Sequence, residues 1–371
     1  MLNMNSIAIQ VAFGRATSKS IALVLLCGVF SALTAPAQDK LVFAVDIIRH
    51  GDRTPLSNPF REAPSLWPEG MGRLTALGTN QEYALGAEMK RLYYRELLDS
   101  NAASNSICAF STDTDRTRMS ARLFLSGLVG DAAAQSIPIY LKVPINITAG
   151  LSDSNAISTG QVLDPDGTAN MQALRSQYVL QSPEWKATNA ALQPQFTRWS
   201  QALGVRINSV QDLEGLSDTL YIHQIHHVPW TNRLSPDDIE AIIAAGRWAF
   251  VYQYNANIGR VSGRAFLKKV SEYMENARRE EVSRKATALK YVLFSAHDST
   301  LLSEMSALRA PLTGTNSPPY AALLHFGLFE AGPANFYLRV TYKDRAEHVV
   351  PDPENGGATW SLEHLSNLAG Q

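Results

Sequence analysis

Val45-Asp46-Ile47-Ile48-Arg49-His50-Gly51-Asp52-Arg53-Thr54-Pro55 is the stretch from which the rest of this chain can be read. It opens inside an apolar run, Leu41 to Ile48, of the kind that fills a buried strand. The run stops at two arginines and a histidine. Gly51 permits a sharp turn and a close approach of backbone to ligand, and Pro55 ends any continuation. Arg49 and Arg53 present planar forks of N–H donors that match a phosphate or a carboxylate. His50 lies between them and is a nucleophile at near-neutral charge. An anion-binding pair around a nucleophile suits phosphoryl transfer, which depends mostly on positioning and charge neutralisation.

A single arginine or histidine here would read as a polar surface loop. The whole pattern Arg-His-Gly-x-Arg-x-Pro should arise by accident on the order of once in ten thousand chains of this length. Two further apolar runs end in the same manner. Ile107–Ser111 runs into Thr112-Asp113-Thr114-Asp115-Arg116-Thr117, and Lys290–Ala296 runs into His297-Asp298-Ser299-Thr300. A helix is expected from about Asp113 to Gly130, capped by Thr112 or Asp113. Arg116 then falls in its first turn, where the helix dipole favours anions. Arg118 reads as facing solvent. Strands followed by helices imply a mostly parallel sheet, whose ligands bind at the carboxyl ends of the strands. The three charged strand ends can therefore meet on one edge.

Between these elements the pattern is less regular. A helix is expected from Leu74 to about Leu98, with Leu85, Met89, Leu92 and Tyr93 at helical spacing. From about Ala133 to Ala245 Pro, Asn, Ser and Gly are scattered. Helical stretches stand near Met171–Leu180 and Pro194–Leu203, and no strand signal is strong. A mostly helical insertion is expected. Ser235-Pro236-Asp237-Asp238 starts a helix that runs past Trp248. His223-Gln-Ile-His226-His227 has the look of a metal cluster, but no neighbouring Cys or Glu completes a ligand set, so satisfied polar residues or a pocket wall are expected. The chain ends with Pro318-Pro319-Tyr320-Ala321, an alternating strand through Glu330, and another from Phe336 to Tyr342.

With 371 residues, 45% hydrophobic and 18% charged, the chain has ordinary globular composition and ample length for a large core. A formal charge of −1 does not suit a nucleic-acid binder. Residues 1–37 carry Arg15 and Lys19 and no acid, then an apolar run from Ile21 to Ala35, then Ala35-Pro36-Ala37. This order reads as a secretory signal peptide cut after Ala37, and the run is short for a membrane span. Leu26 before Cys27 is bulky where a lipid-attachment site would want a small residue. Cleavage removes two positive charges, so the formal charge moves from −1 to −3. It also leaves Cys108 as the one cysteine, which excludes an intramolecular disulfide. In its apolar run Cys108 reads as a buried, inert thiol.

The stretch around His50 resembles the signature of the histidine acid phosphatases, branch 2 of the histidine phosphatase superfamily. The likeness extends to Leu74-Thr-x-x-Gly-x-x-Gln81, to the Ser-Thr-Asp-x-Asp-Arg-Thr around Arg116, to His297-Asp298 and to the closing hairpin. It is weakest in the insertion. The resemblance implies an α/β, phosphoglycerate-mutase-like fold, a mostly parallel sheet flanked by helices. Residues 38–132 and 246–371 would form its catalytic core, and 133–245 a helical cap. It implies an acid phosphatase in which His50 takes up the phosphoryl group and Asp298 is the general acid. Arg49, Arg53, Arg116 and His297 would bind the phosphate, with no metal and no cofactor.

A phytase would keep the same core, although Ser299-Thr300 after His-Asp is closer to the general acid phosphatases. A mutase would not need a signal peptide. A non-catalytic periplasmic anion binder would need only the arginines, whereas His50 and Asp298 are both present. No Gly-x-Ser-x-Gly elbow, Walker A loop or His-Glu-x-x-His is found. The expected partner is a small-molecule phosphate monoester, with no nucleic acid and no membrane span in the mature form, and a homodimer is left open. Many eukaryotic secreted members carry disulfides. Their absence and the form of the leader point to a bacterial periplasmic or secreted enzyme.

Overall fold

In the computed structural model the apolar run becomes strand β1, Lys40–Arg49. Residues 39–370 are described, apart from 96, 99–105, 146–155, 165–168, 230–233, 255 and 285–288. The expected leader, 1–37, lies outside the described residues. Six further strands join β1: β2 Ile107–Ser111, β3 Ile139–Tyr140, β4 Tyr291–Ala296, β5 Leu323–Glu330, β6 Phe336–Lys343 and β7 Glu347–Val349. Their order is β3-β2-β4-β1-β5-β6-β7. The pairs β1/β4, β2/β4 and β2/β3 are parallel, and β5, β6 and β7 are added antiparallel in turn. Five of the seven strands thus run in one direction, which is the mostly parallel α/β sheet expected. The two-residue strand β3 carries too short a pattern to be seen in the sequence.

Side-chain alternation gives the sheet two buried faces. Val45 and Ile47 join Cys108, Phe110, Val292 and Phe294 in one core. Ala44 and Ile48 join Ile107, Ala109, Tyr291 and Leu293 in the other. Asp46, on this second face, is fully buried. It is satisfied by the hydroxyls of Tyr94 and Tyr291, at 2.6 and 2.9 Å, and by His325 Nδ1 at 2.7 Å. Burial pushes the Cys108 thiol up to about 12, as an inert buried cysteine requires.

The main helices are α1 Ala76–Met89, α2 Asp115–Val129, α3 Pro183–Leu203, α4 Leu213–Ile225, α5 Pro236–Tyr252, α6 Ala256–Val282, α7 Asp298–Ala307 and α8 Leu362–Gly370. Leu85 and Met89 of α1 and Phe124 and Leu125 of α2 cover the second face. Phe266, Val270 and Met274 of α6, Leu301 of α7 and Leu365 of α8 cover the first. The result is a layered α/β/α body. A separate cluster unites Trp185, Phe196 and Trp199 of α3 with Leu213, Leu216 and Leu220 of α4 and Ile239, Ile242 and Ala249 of α5.

Three details differ from expectation. The first helix ends as α-helix at Met89 and continues as a π turn, Lys90–Tyr94. Thr114, not Thr112 or Asp113, is the N-cap residue of α2. Helix α3 starts at Pro183 rather than at Pro194, because Ser182 accepts a hydrogen bond from the Trp185 amide and Pro183 has a φ suited to the first turn. Pro194 is carried inside the helix.

Candidate active site

Three strands deliver the charged residues to one place. Arg49 and His50 follow from the end of β1, Arg116 stands in the first turn of the helix after β2, and His297 and Asp298 follow β4 into α7. With Arg53, all six line one cavity of about 700 Å³. This is the carboxyl edge of the parallel strands, where α/β sheets bind ligands.

The turn after β1 is braced by the start of α1. A Cβ at Gly51 would stand 2.5 Å from Gly78 O, and one at Gly78 would stand 2.1 Å from Asp52 O. Only two glycines allow this approach. Gln81 Oε1 accepts the Asp52 amide at 2.8 Å, the Thr75 amide donates to Asp52 O at 3.0 Å, and the Thr75 hydroxyl donates to Asp52 Oδ2 at 2.5 Å. Thr75, Gly78 and Gln81, three residues of the Leu-Thr-x-x-Gly-x-x-Gln element, therefore hold the loop that aims His50 and Arg53.

His50 is 2% exposed. Its Nδ1 lies 2.8 Å from Gly51 O. A carbonyl can only accept, so Nδ1 carries the proton and the lone pair is on Nε2. Burial, then the positive charges of Arg49, Arg53 and Arg116, hold the imidazole well below its ordinary pKa. It therefore stays neutral and nucleophilic in acid.

Each arginine is placed differently. Arg49 Nη2 pairs with Asp298 Oδ2 at 2.7 Å, its Nη1 donates to Pro318 O, and its guanidinium sits 4.2 Å from the centre of the Tyr320 ring. Arg53 is gripped by both oxygens of Asp218, at 3.0 and 3.1 Å. Burial alone would lower its pKa, but Asp218 outweighs burial and raises it. Arg116 has no carboxylate within ion-pair distance among the described residues, and its Nε is buried without a partner. Burial and repulsion from Arg53 bring it down to about 10, so it remains cationic in acid. Asp298 and Asp218 act on it only from beyond contact distance, so among the described residues the guanidinium has no direct ion-pair partner and suits an anion.

Asp298 Oδ1 accepts the Ser299 amide at 2.9 Å. Burial would raise its pKa, but Arg49 and Arg53 outweigh it and hold the carboxyl below the ordinary value. His297 Nε2 lies 3.0 Å from Thr112 Oγ1, and its ring centre is 5.6 Å from that of His50. Burial, then Arg116, lowers its pKa to about 4.

Two contributors could not be found by reading along the chain. Asp218 comes from α4, within the stretch 133–245, and no pattern there marks it. Tyr320 lies under Arg49 with its ring centre 5.9 Å from that of His50, and the sequence offered it only as the start of the closing hairpin. The histidine pair on α4 does not converge. His223 Nε2 is 3.2 Å from Glu62 Oε2, whereas His226 Nε2 donates to Asp52 Oδ2 at 2.7 Å. Among the described residues the group with metal-ligand geometry is Asp352, Glu354 and His364, none of which lines the cavity.

Residues 40–343 match the family model of the histidine phosphatase superfamily, branch 2. This chain belongs to that superfamily. It is 30% identical over 343 residues to human testicular acid phosphatase, covering 84% of this chain and 74% of the relative. It is 27% identical to human prostatic acid phosphatase, covering 83% and 79% respectively. Among solved structures, the apo form of Hafnia alvei phytase superposes with a TM-score of 0.64 at 15% identity, covering 91% of this chain and 98% of that one. That likeness concerns the fold. No helix of the described residues is long and apolar enough to cross a membrane.

Proposed function

We propose that this protein is an acid phosphatase that hydrolyses phosphate monoesters in two steps through a phosphohistidine on His50. The observation that carries the proposal is a neutral His50 with its Nε2 lone pair free, set among three arginines of which Arg116 makes no ion-pair contact among the described residues. The phosphoryl oxygens lie among Arg49, Arg53 and Arg116, with His297 as a further hydrogen-bond donor. Nε2 attacks phosphorus in line with the ester oxygen. The P–O bond breaks as the P–N bond forms, and Asp298 gives its proton to the departing oxygen. Water then attacks the phosphohistidine, Asp298 takes back a proton, the P–N bond breaks and phosphate leaves. The arginines supply the positive charge throughout.

The same reading takes residues 38–132 and 246–371 as the catalytic core and 133–245 as a cap that roofs the pocket. The grip of Asp218 on Arg53 supports it, because the insertion then touches the phosphate site directly. The order of basic, apolar and small residues in 1–37 supports export to the periplasm or beyond.

The experiment is a rapid quench with labelled p-nitrophenyl phosphate in the presence of EDTA. Acid-labile, base-stable label should map to His50, and His50→Ala, folded by circular dichroism, should show neither label nor turnover. Label on another residue, or turnover without covalent label, would overturn the proposal.

A further inference from the structure

The cavity is far larger than a phosphate group, and its lining says what else it can hold. Besides Asp218, which is clamped on Arg53, the lining carries Asp164, Glu214 and Asp344 against Arg247 and Arg345. Together with Arg49, Arg53, Arg116 and Asp298, the described residues of the lining carry five guanidiniums and five carboxylates, with no lysine among them. The lining is therefore close to neutral, and it becomes net negative once a phosphoryl dianion is bound.

Of these acids, Asp344 is held ionised by its own loop. Burial would raise the pKa of Asp344, but the amides of Ala346 and Arg345 outweigh it and hold the carboxyl below its ordinary value. The Ala346 amide reaches Asp344 Oδ1 at 3.1 Å, and exposed His348 lies 3.4 Å from the same oxygen. Glu214 accepts the Gln253 amide at 2.6 Å. An aromatic face is present as well. The Tyr221 ring already holds one cation, the Arg247 guanidinium, at 3.8 Å.

Resting on the phosphatase reading above, we infer that the leaving-group side of this cavity selects single-phosphate esters with a positively charged leaving group, and disfavours leaving groups that bring further negative charge. The phosphoryl group is held by the arginines. The cationic group of an aminoalkyl phosphate is then drawn to Asp344 and Glu214, which line the same cavity. A second phosphate would meet the same carboxylates with only Arg247 and Arg345 to receive it. One charge about 8 Å from another, at an effective dielectric between about 20 and 80, shifts an affinity by roughly two- to thirty-fold.

The test compares kcat/KM for choline phosphate, glycerol phosphate and 3-phosphoglycerate, whose leaving alcohols carry positive, zero and negative charge, with p-nitrophenyl phosphate as reference. The expected order is cation, neutral, anion, with inositol hexakisphosphate below the neutral ester. The spread should shrink in high salt. The cation-to-anion ratio should fall toward one in Glu214→Gln and Asp344→Asn and rise in Arg345→Gln, whatever the absolute rates. Opposite responses to acid and arginine removal distinguish charge selection from damage to the fold. A flat or reversed order, with p-nitrophenyl phosphate turned over through phosphohistidine, overturns this inference and leaves the phosphatase reading standing. Absence of any turnover or phosphohistidine overturns that reading, and this one with it.

Discussion

At His50 burial comes first. Desolvation and three guanidiniums keep the ring neutral well below its ordinary pKa, so acid leaves the lone pair that the proposed mechanism needs. In the proposed mechanism Asp298 has the opposite need, because it gives a proton to the departing oxygen. In the free protein Arg49 and Arg53 hold it ionised below the ordinary carboxyl value. A phosphoryl dianion bound among those arginines draws off their field, so the Asp298 pKa rises on binding. Protonation of Asp298 is then favoured by substrate and by low pH together, which gives an optimum on the acid side. A departing alkoxide depends on that proton far more than p-nitrophenolate does. Asp298→Asn should therefore slow phosphoenzyme formation from glycerol phosphate by about 10²–10⁴-fold, and from p-nitrophenyl phosphate much less. Rapid quench on the formation step is the measurement. Equal slowing of both esters would remove Asp298 as proton donor.

Helix α4 ties the stretch 133–245 to the loop that follows β1. Asp218, His223 and His226 lie along it and reach Arg53, Glu62 and Asp52 respectively. The contact at Asp52 bears most weight, since that carboxylate is fully buried and, among the described residues, its Oδ2 has the Thr75 hydroxyl and His226 as side-chain partners. Removing one partner of a buried acceptor costs about 1–3 kcal/mol. His226→Ala should thus lower the unfolding temperature by a few degrees and raise KM for phosphate esters. Amides of Leu213–Ile225 should exchange faster, while those of β1 and β4 stay protected. Unchanged protection in α4 would mean that the helix is held by its apolar contacts alone.

Over the whole molecule, titration links stability to pH through groups in separate layers. Glu82 on α1 and Glu304 on α7 are completely enclosed, and burial raises both well above the ordinary carboxyl value. Above about pH 4.5 the unfolded chain releases these protons and the fold retains them. Each therefore removes about 1.4 kcal/mol of stability per pH unit until its own raised pKa is reached. His50, His223 and His297 act from the other side. The unfolded chain protonates them below about pH 6.5, while burial brings His223 and His297 down to about 4 in the fold. Their contribution is complete above that window and lost as pH falls through it. Stability should peak in mild acid. Glu82→Gln mimics the protonated acid, so it should match wild type near pH 4 and gain on it steadily toward pH 8 in thermal unfolding. A constant offset at every pH would show that Glu82 titrates normally in the fold.

The sequence by itself determined the parts of this protein whose signals are local. Apolar runs of strand length ended in charged residues, and capping residues and proline marked helix starts. The motifs that put Arg49, His50, Arg53, Arg116, His297 and Asp298 at strand ends each lie within a few consecutive residues. An α/β sheet with its ligand edge follows from them, because strands feeding helices can be arranged in few ways. Only the tertiary structure decided which groups meet across long separations. Asp218 stands 165 residues from Arg53, and Tyr320 comes under Arg49 through the closing hairpin. The His223 and His226 pair, adjacent by spacing, parts toward two different acids. The charge of the outer cavity is likewise a sum over loops and helices remote from one another in the chain. Ion pairs and cavity fields depend on distance in space and on the dielectric between groups, and neither quantity is written in the order of the residues.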